Sequence, residues 1–409
     1  MNFLERLLDG VAVEWKALRD VVLPTSNIKW KDTDRIYRYI DLTSVSIETK
    51  KIAETTEITA NNAPSRAQKL VEKNDVIFAT TRPSQQRYCL IDNEYSGEVA
   101  STGYCVLRAK KDEVLPKWIL YCIASNDFKI YVEENQSGSA YPAISDTKVK
   151  DFIIPIPPLK VQAEIVRILD TFTALTAELT AELTAELTDR KKQYNYYRDR
   201  LLSFEKGEVE WKTLGEIGQA RMCKRILKSQ TSSEGDIPFY KIGTFGKEPD
   251  AYISKSLFEE YKLKYSYPKI GEILISASGT IGRAVIFDGE DSYFQDSNIV
   301  WIENDESVVL NKFLFYFYQI ANWGISVGGT IQRLYNDNLR KLSIPIPYPS
   351  DPQKSLEEQA RIVAILDKFD TLTHSISEGL PREIALRQKQ YEYYRDLLLT
   401  FPKPEEVEA

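Results

Sequence analysis

The chain is written twice, and no other feature constrains its fold as much. "VEWKALRDVV" at 13–22 returns as "VEWKTLGEIG" at 209–218, and "IPIPP" at 154–158 as "IPIPY" at 344–348. "QAEIVRILDTF" at 162–172 returns as "QARIVAILDKF" at 359–369, and "KQYNYYRDRLLSF" at 192–204 as "KQYEYYRDLLLTF" at 389–401. The offset is 196 at Val13/Val209, 190 at Pro155/Pro345 and 197 from Gln162/Gln359 to Phe204/Phe401, with seven extra residues around "YPSDPQK" in the second copy. A repeat of this length means one architecture built twice. It is also cyclic. "RLLDGVAVEWK" at 6–16 resembles "RLLSFEKGEVEWK" at 200–212, so the N-terminus supplies the piece that would follow the C-terminal helix. The two ends should lie together, around an approximate two-fold axis. Residues 23–150 and 219–341 lie between the repeated parts and do not match. A repeated scaffold with divergent inserts performs one job twice and two versions of another.

The scaffold reads as helix. In "VQAEIVRILDTF" the apolar residues Val161, Ile165, Ile168, Leu169 and Phe172 recur at i, i+4, i+7, i+8 and i+11, an amphipathic pattern. It continues through three TAEL tetrapeptides, good helix formers apart from Thr, to "YYRDRLL". A helix from about 161 to 203 is expected, on the order of 60 Å long, with the prolines of "IPIPP" setting its start. The second copy should run from about 356 to 400 with a kink or short break near Gly379 and Pro381. Asp170 to Tyr196 and Asp367 to Tyr393 are both 26 residues, as for two antiparallel helices bridging one gap. A lone helix with so long a leucine stripe would expose too much apolar area. A coiled-coil-like pair is therefore expected.

The inserts have a shorter period. "DVIFATT" (75–81), "GYCVLRA" (103–109), "GEILISASGTIGRAVIFDG" (271–289) and "SNIVWIE" (297–303) read as strands with Gly or polar turns. "PKWILYCIA" (116–124) and "NKFLFYFYQIA" (311–321) read as helices. The expected fold class is α+β. Two globular α+β domains, 23–150 and 219–341, are separated by the helical spacers 151–218 and 342–409, and residues 1–22 pack with the C-terminal helix.

Several chemistries are excluded by omission. The 409 residues contain one histidine, His374, expected to be structural or exposed. There is no GxxxxGK[ST] phosphate loop, no GxSxG elbow and no cofactor signature of an adenine methyltransferase. Four cysteines stand without CxxC spacing, no stretch approaches a membrane span, and the start lacks a basic n-region. A cytoplasmic, non-catalytic chain that binds no metal is expected. The net charge of −7 argues against nucleic acid when taken globally. By region, however, the inserts net +1 and the scaffold −8. The inserts also hold basic runs mixed with Gln, Ser, Thr and Tyr: "TTRPSQQR" (80–87), "RMCKRILK" (221–228), "SGTIGR" (278–283) and "IQRLYNDNLRK" (331–341). Arg and Gln suit guanine and adenine edges, while Lys, Ser and Thr suit phosphates.

The duplicated "IPIP…QxxIVxILD…KQYxYYRDxLL" scaffold, the "VEWKxL" heads, two dissimilar inserts and the central tetrapeptide repeat together resemble the specificity (S) subunit of Type I restriction–modification enzymes. The subclass is the one with TAEL repeats in its central helical region, and the resemblance covers essentially the whole chain. "GEILISASGTIGRAVI" (271–286) is similar to that family's target recognition domains, whereas "NDVIFATTRPSQQRYCLI" (74–91) lacks SGTIG. The resemblance implies that each insert reads one half of a split, asymmetric site in double-stranded DNA. It implies that the helices separate the inserts and dock two modification (methyltransferase) subunits, and that motor–nuclease subunits add cleavage. S-adenosylmethionine, ATP and Mg would sit on those partners and none on this chain.

Loop position and chemistry select Arg82, Gln85, Gln86, Arg87, Ser139 and Tyr141 in the first domain as DNA-binding candidates. In the second they select Arg221, Lys224, Arg225, Ser278, Thr280, Arg283, Gln332 and Arg333. Leu175, Leu179, Leu183 and Leu187 mark the spacer. Each TAEL advances the helix by about 6 Å and the stripe by about 40°, against about 3.4 Å and 34–36° for one base pair. The repeat number is therefore expected to set the count of unread base pairs between half-sites. Two rivals remain. A non-DNA coiled-coil scaffold with two ligand-binding heads predicts no sequence-dependent DNA binding, and a self-sufficient enzyme needs a cofactor motif that is not found.

Overall fold

The computed structural model describes residues 3–205, 209–324, 333–375 and 377–402. It divides into two compact units, Met1–Glu182 with Ile384–Ala409, and Leu183–Glu383. Both boundaries fall inside helices, Leu159–Leu201 and Gly379–Leu399. The cyclic repeat explains this division. Each unit takes one insert and pieces of scaffold from both copies.

In the first unit the scaffold strand Glu14–Ala17 pairs antiparallel with Ile153–Ile156, Trp15 opposite Pro155. In the second, Val209–Thr213 pairs with Ser343–Pro347, Trp211 opposite Pro345. The "IPIP" segments are therefore strands as well as helix-starting signals. Proline is tolerated because each sheet has only two strands, so every N–H that proline lacks can be one that would face away from the ladder. Ile154, Ile344 and Ile346 point into the cores.

The first insert carries a four-stranded antiparallel sheet in the order Val22–Leu23, Tyr104–Ala109, Val76–Ala79, Tyr88–Leu90. The second carries Gly218–Arg221, Ile299–Asn304, Ile273–Ser276, Ala284–Ile286 in the same order. A second sheet in each insert contains one parallel pair, Tyr37–Ile40 with Val99–Ser101 and Ile237–Tyr240 with Tyr293–Phe294. The inserts differ outside these elements. The first adds the strand Ala67–Leu70, where the second has the helix Lys255–Lys264. Segments that share few letters thus share one strand order. Buried strands such as "VIFA" and "ILIS" need apolar residues of about the right volume and little more.

The helices Pro116–Ala124 and Asn311–Tyr318 cover one face of these sheets, where the patterning places them. The first core joins Leu18, Trp118, Phe128, Ile165 and Leu169 to Leu399 and Phe401. The second joins Leu214, Phe313, Tyr316, Ile362 and Leu366 to Leu202. The helix Phe3–Leu8 rests on the first core through Leu4, Leu7 and Leu8, and Trp15 Nε1 donates to the Pro402 carbonyl at 3.0 Å. The N-terminus thus completes the C-terminal helix, as the cyclic repeat requires.

The central helix runs 43 residues, about 65 Å at 1.5 Å per residue. Its counterpart is broken into Pro352–His374 and Gly379–Leu399. The chain leaves the first helix after His374 and re-enters at Gly379, whose φ of +74° is left-handed. A Cβ there would lie 2.5 Å from the Thr371 carbonyl oxygen. In the first unit Phe172 meets Tyr394 and Thr173 meets Tyr391. In the second Tyr197 stacks on Phe369 and Tyr194 meets the His374 ring edge-on. In each unit one partner's number rises as the other's falls, so the contacting helices are antiparallel. His374 also contacts Thr373 and Asp370, a structural role. Along the TAEL segment Leu175 is exposed and Leu179, Leu183 and Leu187 are half-buried.

Candidate nucleic-acid interface

Each insert is fastened to its helix by the same polar set. Gln162 has no exposed surface; its Oε1 accepts the Leu115 N–H at 2.9 Å, and its Nε2 donates to the carbonyls of Glu113 at 3.0 Å and Pro157 at 2.8 Å. Gln359 is equally buried, accepting from Leu310 N–H at 2.9 Å and donating to Val308 O at 3.0 Å and Ser355 Oγ at 3.2 Å. One helical face further on, Asp170 takes Lys117 Nζ at 2.6 Å and the Tyr121 hydroxyl at 2.8 Å. Asp367 takes Lys312 Nζ at 2.7 Å and the Tyr316 hydroxyl at 2.6 Å. Burial, with the neighbouring carboxylate, pushes the Tyr316 phenol far up. Burial likewise raises Tyr121, so both phenols remain donors.

At the end of each four-stranded sheet stands a loop that the two inserts share. In the first, Ala79 N–H donates to Arg87 O at 2.8 Å and closes a seven-residue excursion. In the second, Ser276 N–H donates to Arg283 O at 2.9 Å and closes one of six. The bridge Thr81↔Ala143 ties the first loop to residues 136–143, and Ser278↔Arg333 makes the same tie in the second. Ile144 N–H reaches Thr80 O at 2.9 Å, and Leu334 N–H reaches Ala277 O at 2.8 Å. Arg87 Nη1 donates to Val45 O at 2.6 Å and Arg283 Nη1 to Phe245 O at 2.9 Å. The backbone turns left-handed at Arg82 (φ 49°) and Gln86 (φ 51°), where the second insert has Gly279 (φ 68°) and Gly282 (φ 83°). "TRPSQQR" is therefore the counterpart of "SGTIGR", although it lacks the glycines.

The candidate residues fall into two groups. In the first insert the two loops bring Arg82, Gln85, Gln86, Arg87 and Tyr141 together, with Ser139 exposed beside Tyr141. Arg82 N–H donates to Pro142 O at 2.7 Å, and its guanidinium lies 5.2 Å from the Tyr141 ring centroid. Gln85 accepts from Arg87 Nε at 3.2 Å. In the second insert Ser278 and the exposed Thr280 lie on the loop, Arg333 is bridged to it at Ser278, and Arg283 stands at its base. Ser278 Oγ donates to Asn298 Oδ1 at 2.9 Å, and Arg333 approaches the same oxygen at 3.4 Å. Arg225 pairs with Asp296 at 2.9 Å in the adjoining turn, and Lys224 lies over the Tyr265 ring. Arg221 is set apart, paired with Glu303 at 2.8 Å on the sheet. Gln332 lies outside the described residues.

Three participants escape a reading of motifs. Asn298 orients the second loop from a neighbouring turn. Lys50 donates to Gln86 O and sits 4.6 Å from the Tyr88 ring; burial, then Arg87 and Arg395, push its ammonium down to about 8. The third is the Gln162/Gln359 anchor, whose one sequence signal is the repetition of a polar residue beside an apolar stripe.

Two loop-bearing α+β inserts, bolted alike to a duplicated helical scaffold, define a two-headed protein whose heads share one fold and carry different loop side chains. The model of the type I restriction modification DNA specificity domain matches this chain twice, over residues 13–189 and 206–386. A Haemophilus influenzae protein named for the type I restriction enzyme specificity subunits is 49% identical over 406 residues, covering 98% of each chain. The type I restriction enzyme EcoR124I/EcoR124II specificity subunit of Escherichia coli is 36% identical over 432 residues, covering 100% of this chain and 99% of that one. The chain therefore belongs to the type I restriction–modification DNA specificity family. Among solved structures, a chain from a study of type I restriction–modification complex assembly matches with a TM-score of 0.68 at 24% identity, over 95% of this chain and 98% of that one. The HsdS subunit from Thermoanaerobacter tengcongensis matches with 0.53 at 24%, over 95% and 96%. Both share its fold. Among the described residues no helix is long and apolar enough to cross a membrane.

Proposed function

We propose that this chain is the DNA-reading subunit of a type I restriction–modification complex and catalyses nothing itself. Each insert reads one half of a bipartite, asymmetric target in double-stranded DNA. The reading contacts come from residues 80–87 with 136–143 in the first insert, and from 277–283 with Arg333 in the second. The duplicated scaffold offers equivalent docking surfaces to two modification subunits, since two copies of one partner need two like surfaces. Those subunits bring S-adenosylmethionine and methylate adenine. Motor–nuclease subunits bring ATP and Mg and cleave. The observation that carries this reading is the pair of loops, seven and six residues long, closed by matching backbone hydrogen bonds and dressed with different side chains. The chain works in the cytoplasm, where these partners and the DNA are.

The TAEL segment acts as a spacer whose length matters more than its letters. Removing one tetrapeptide takes about 6 Å from the helix and shortens the preferred gap between half-sites by about one base pair. The test of the whole reading is co-expression with the modification subunit of the same system in a methylation-free host, followed by methylome sequencing. A split adenine-methylated motif with a fixed gap is expected. Methylation without a split motif, or none despite an assembled complex, would overturn it.

A further inference from the structure

Arg82 occupies a position that does not suit it. At φ 49° and ψ 53° it is left-handed, a region where an L-residue's Cβ crowds its own carbonyl oxygen. The second insert gives the same place to Gly279, the residue for which that conformation costs nothing. Nothing in the loop's closure asks for a side chain here, because the bridge Thr81↔Ala143 and the bond from Arg82 N–H to Pro142 O are made by backbone alone. The side chain is exposed and adds no packing to the core. Arg82 is one of eight non-glycine residues with positive φ among the described residues, and its exposed place in the shared loop motivates a functional reading.

The state of the guanidinium narrows that function. Arg87 and Arg283 donate to carbonyls of their own inserts, and Arg221 and Arg225 are paired with carboxylates. Among the described residues Arg82 has neither an acceptor nor an ion-pair partner for its guanidinium. What it has is Tyr141, 71% exposed, with the guanidinium carbon 5.2 Å from the ring centroid. A guanidinium held by a ring face keeps its N–H donors available for another acceptor. A planar fork with two parallel donors fits guanine O6 and N7 in the major groove. The same fork also fits two phosphate oxygens, a contact that would carry no sequence information.

We propose that Arg82 reads a guanine in the first half-site and that Tyr141 is its positioning residue. This rests on the assignment of the inserts as DNA-reading domains. The slot at 82/279 is then a place where the loop common to the two inserts is switched from silent to base-specific by one residue.

Arg82→Gly is the decisive variant, because glycine relaxes the backbone while removing the fork. The chain assembled with its modification subunit is compared as wild type, Arg82→Gly, Arg82→Lys, Tyr141→Ala and Tyr141→Phe. Methylome sequencing and competition between duplexes differing at one base pair supply the readouts. Arg82→Gly is expected to lose between about 5- and 150-fold of discrimination at one guanine of the first half-site. The second half-site and the gap stay unchanged, and the melting temperature stays level or rises. Arg82→Lys restores little, Tyr141→Ala loses part of the discrimination, and Tyr141→Phe retains it. An unchanged first half-site in Arg82→Gly would overturn the proposal while the wild-type split motif still upheld the DNA-reading assignment. Equal weakening on every sequence, with a reduced salt dependence, would mark a phosphate contact and overturn it too. A wild-type complex with no split motif would sink both.

Discussion

Replacing Gln162 by alanine should separate fastening from reading. The amide makes three hydrogen bonds with no exposed surface. Alanine leaves the Leu115 N–H and the carbonyls of Glu113 and Pro157 without this partner. Each lost bond costs about 1 kcal/mol, more where a buried group is left unsatisfied, and the vacated volume adds a cavity penalty. The expected loss is about 3–5 kcal/mol from the first unit. Gln162→Leu fills the volume but satisfies none of the three groups, and should still lose about 2–4 kcal/mol. For a unit of this size each kcal/mol moves the midpoint by about 2–4 °C, so the alanine variant should melt roughly 6–20 °C lower. Calorimetry of the full chain checks this, because the two units can then appear as separate transitions. Gln359→Ala should lower the other transition by a similar amount. The two effects should add in the double variant, since the glutamines share no partner. In the assembled complex Gln162→Ala should weaken reading of the first half-site and spare the second. A shift below about 2 °C, or equal damage to both half-sites, would refute the view that each insert is held by its own buried amide.

Gly282→Ala should damage the second insert, because its φ is 83° and a Cβ would lie 2.1 Å from Trp323 Nε1; methylome sequencing should show loss at the second half-site, with a melting drop from strain and clash. Lys50, pushed down to about 8 in the fold, carries fewer protons folded than unfolded between about pH 8 and its ordinary value near 10.4, so its contribution to stability rises with pH through that window. The melting advantage of Lys50→Met over wild type should therefore shrink between pH 7.5 and 10, and a constant difference would reject the burial of a charged lysine. Deleting residues 180–183, one TAEL, should leave both half-sites intact and shorten the gap by about one base pair in the methylome; an unchanged gap would end the spacer idea.

The scaffold was legible because its signals are periodic and duplicated. The stripe from Val161 to Phe172 announced the central helix, and Gly379 and Pro381 marked the region where its counterpart breaks. The strand role of "IPIP" was hidden, because proline speaks against a strand unless the sheet has only two members. The relation between the inserts was hidden for another reason. A buried four-stranded sheet constrains volume and polarity at each position, so "VIFA" and "ILIS" build the same element while looking unrelated. Gln162 and Gln359 stand at the same place in the repeat, but a polar residue beside a helical stripe reads as solvated. Only the structure shows that it is wholly buried, and why the repetition retains it.

The loops carry the sharpest lesson about site prediction. "SGTIGR" is visible because glycine is the usual bearer of a left-handed backbone. "TRPSQQR" makes the same turns at Arg82 and Gln86, and no propensity rule points to either. The closing bonds from Ala79 to Arg87 and from Ser276 to Arg283 establish the equivalence that the letters conceal. Where such a loop keeps glycine, as at Gly279, the left-handed backbone is adopted without strain. Arg82 takes that conformation with a Cβ, and its exposed side chain adds nothing to the core. If Arg82 reads a guanine as proposed, a left-handed non-glycine position at the end of a shared sheet is one place where two copies of one fold come to read different DNA.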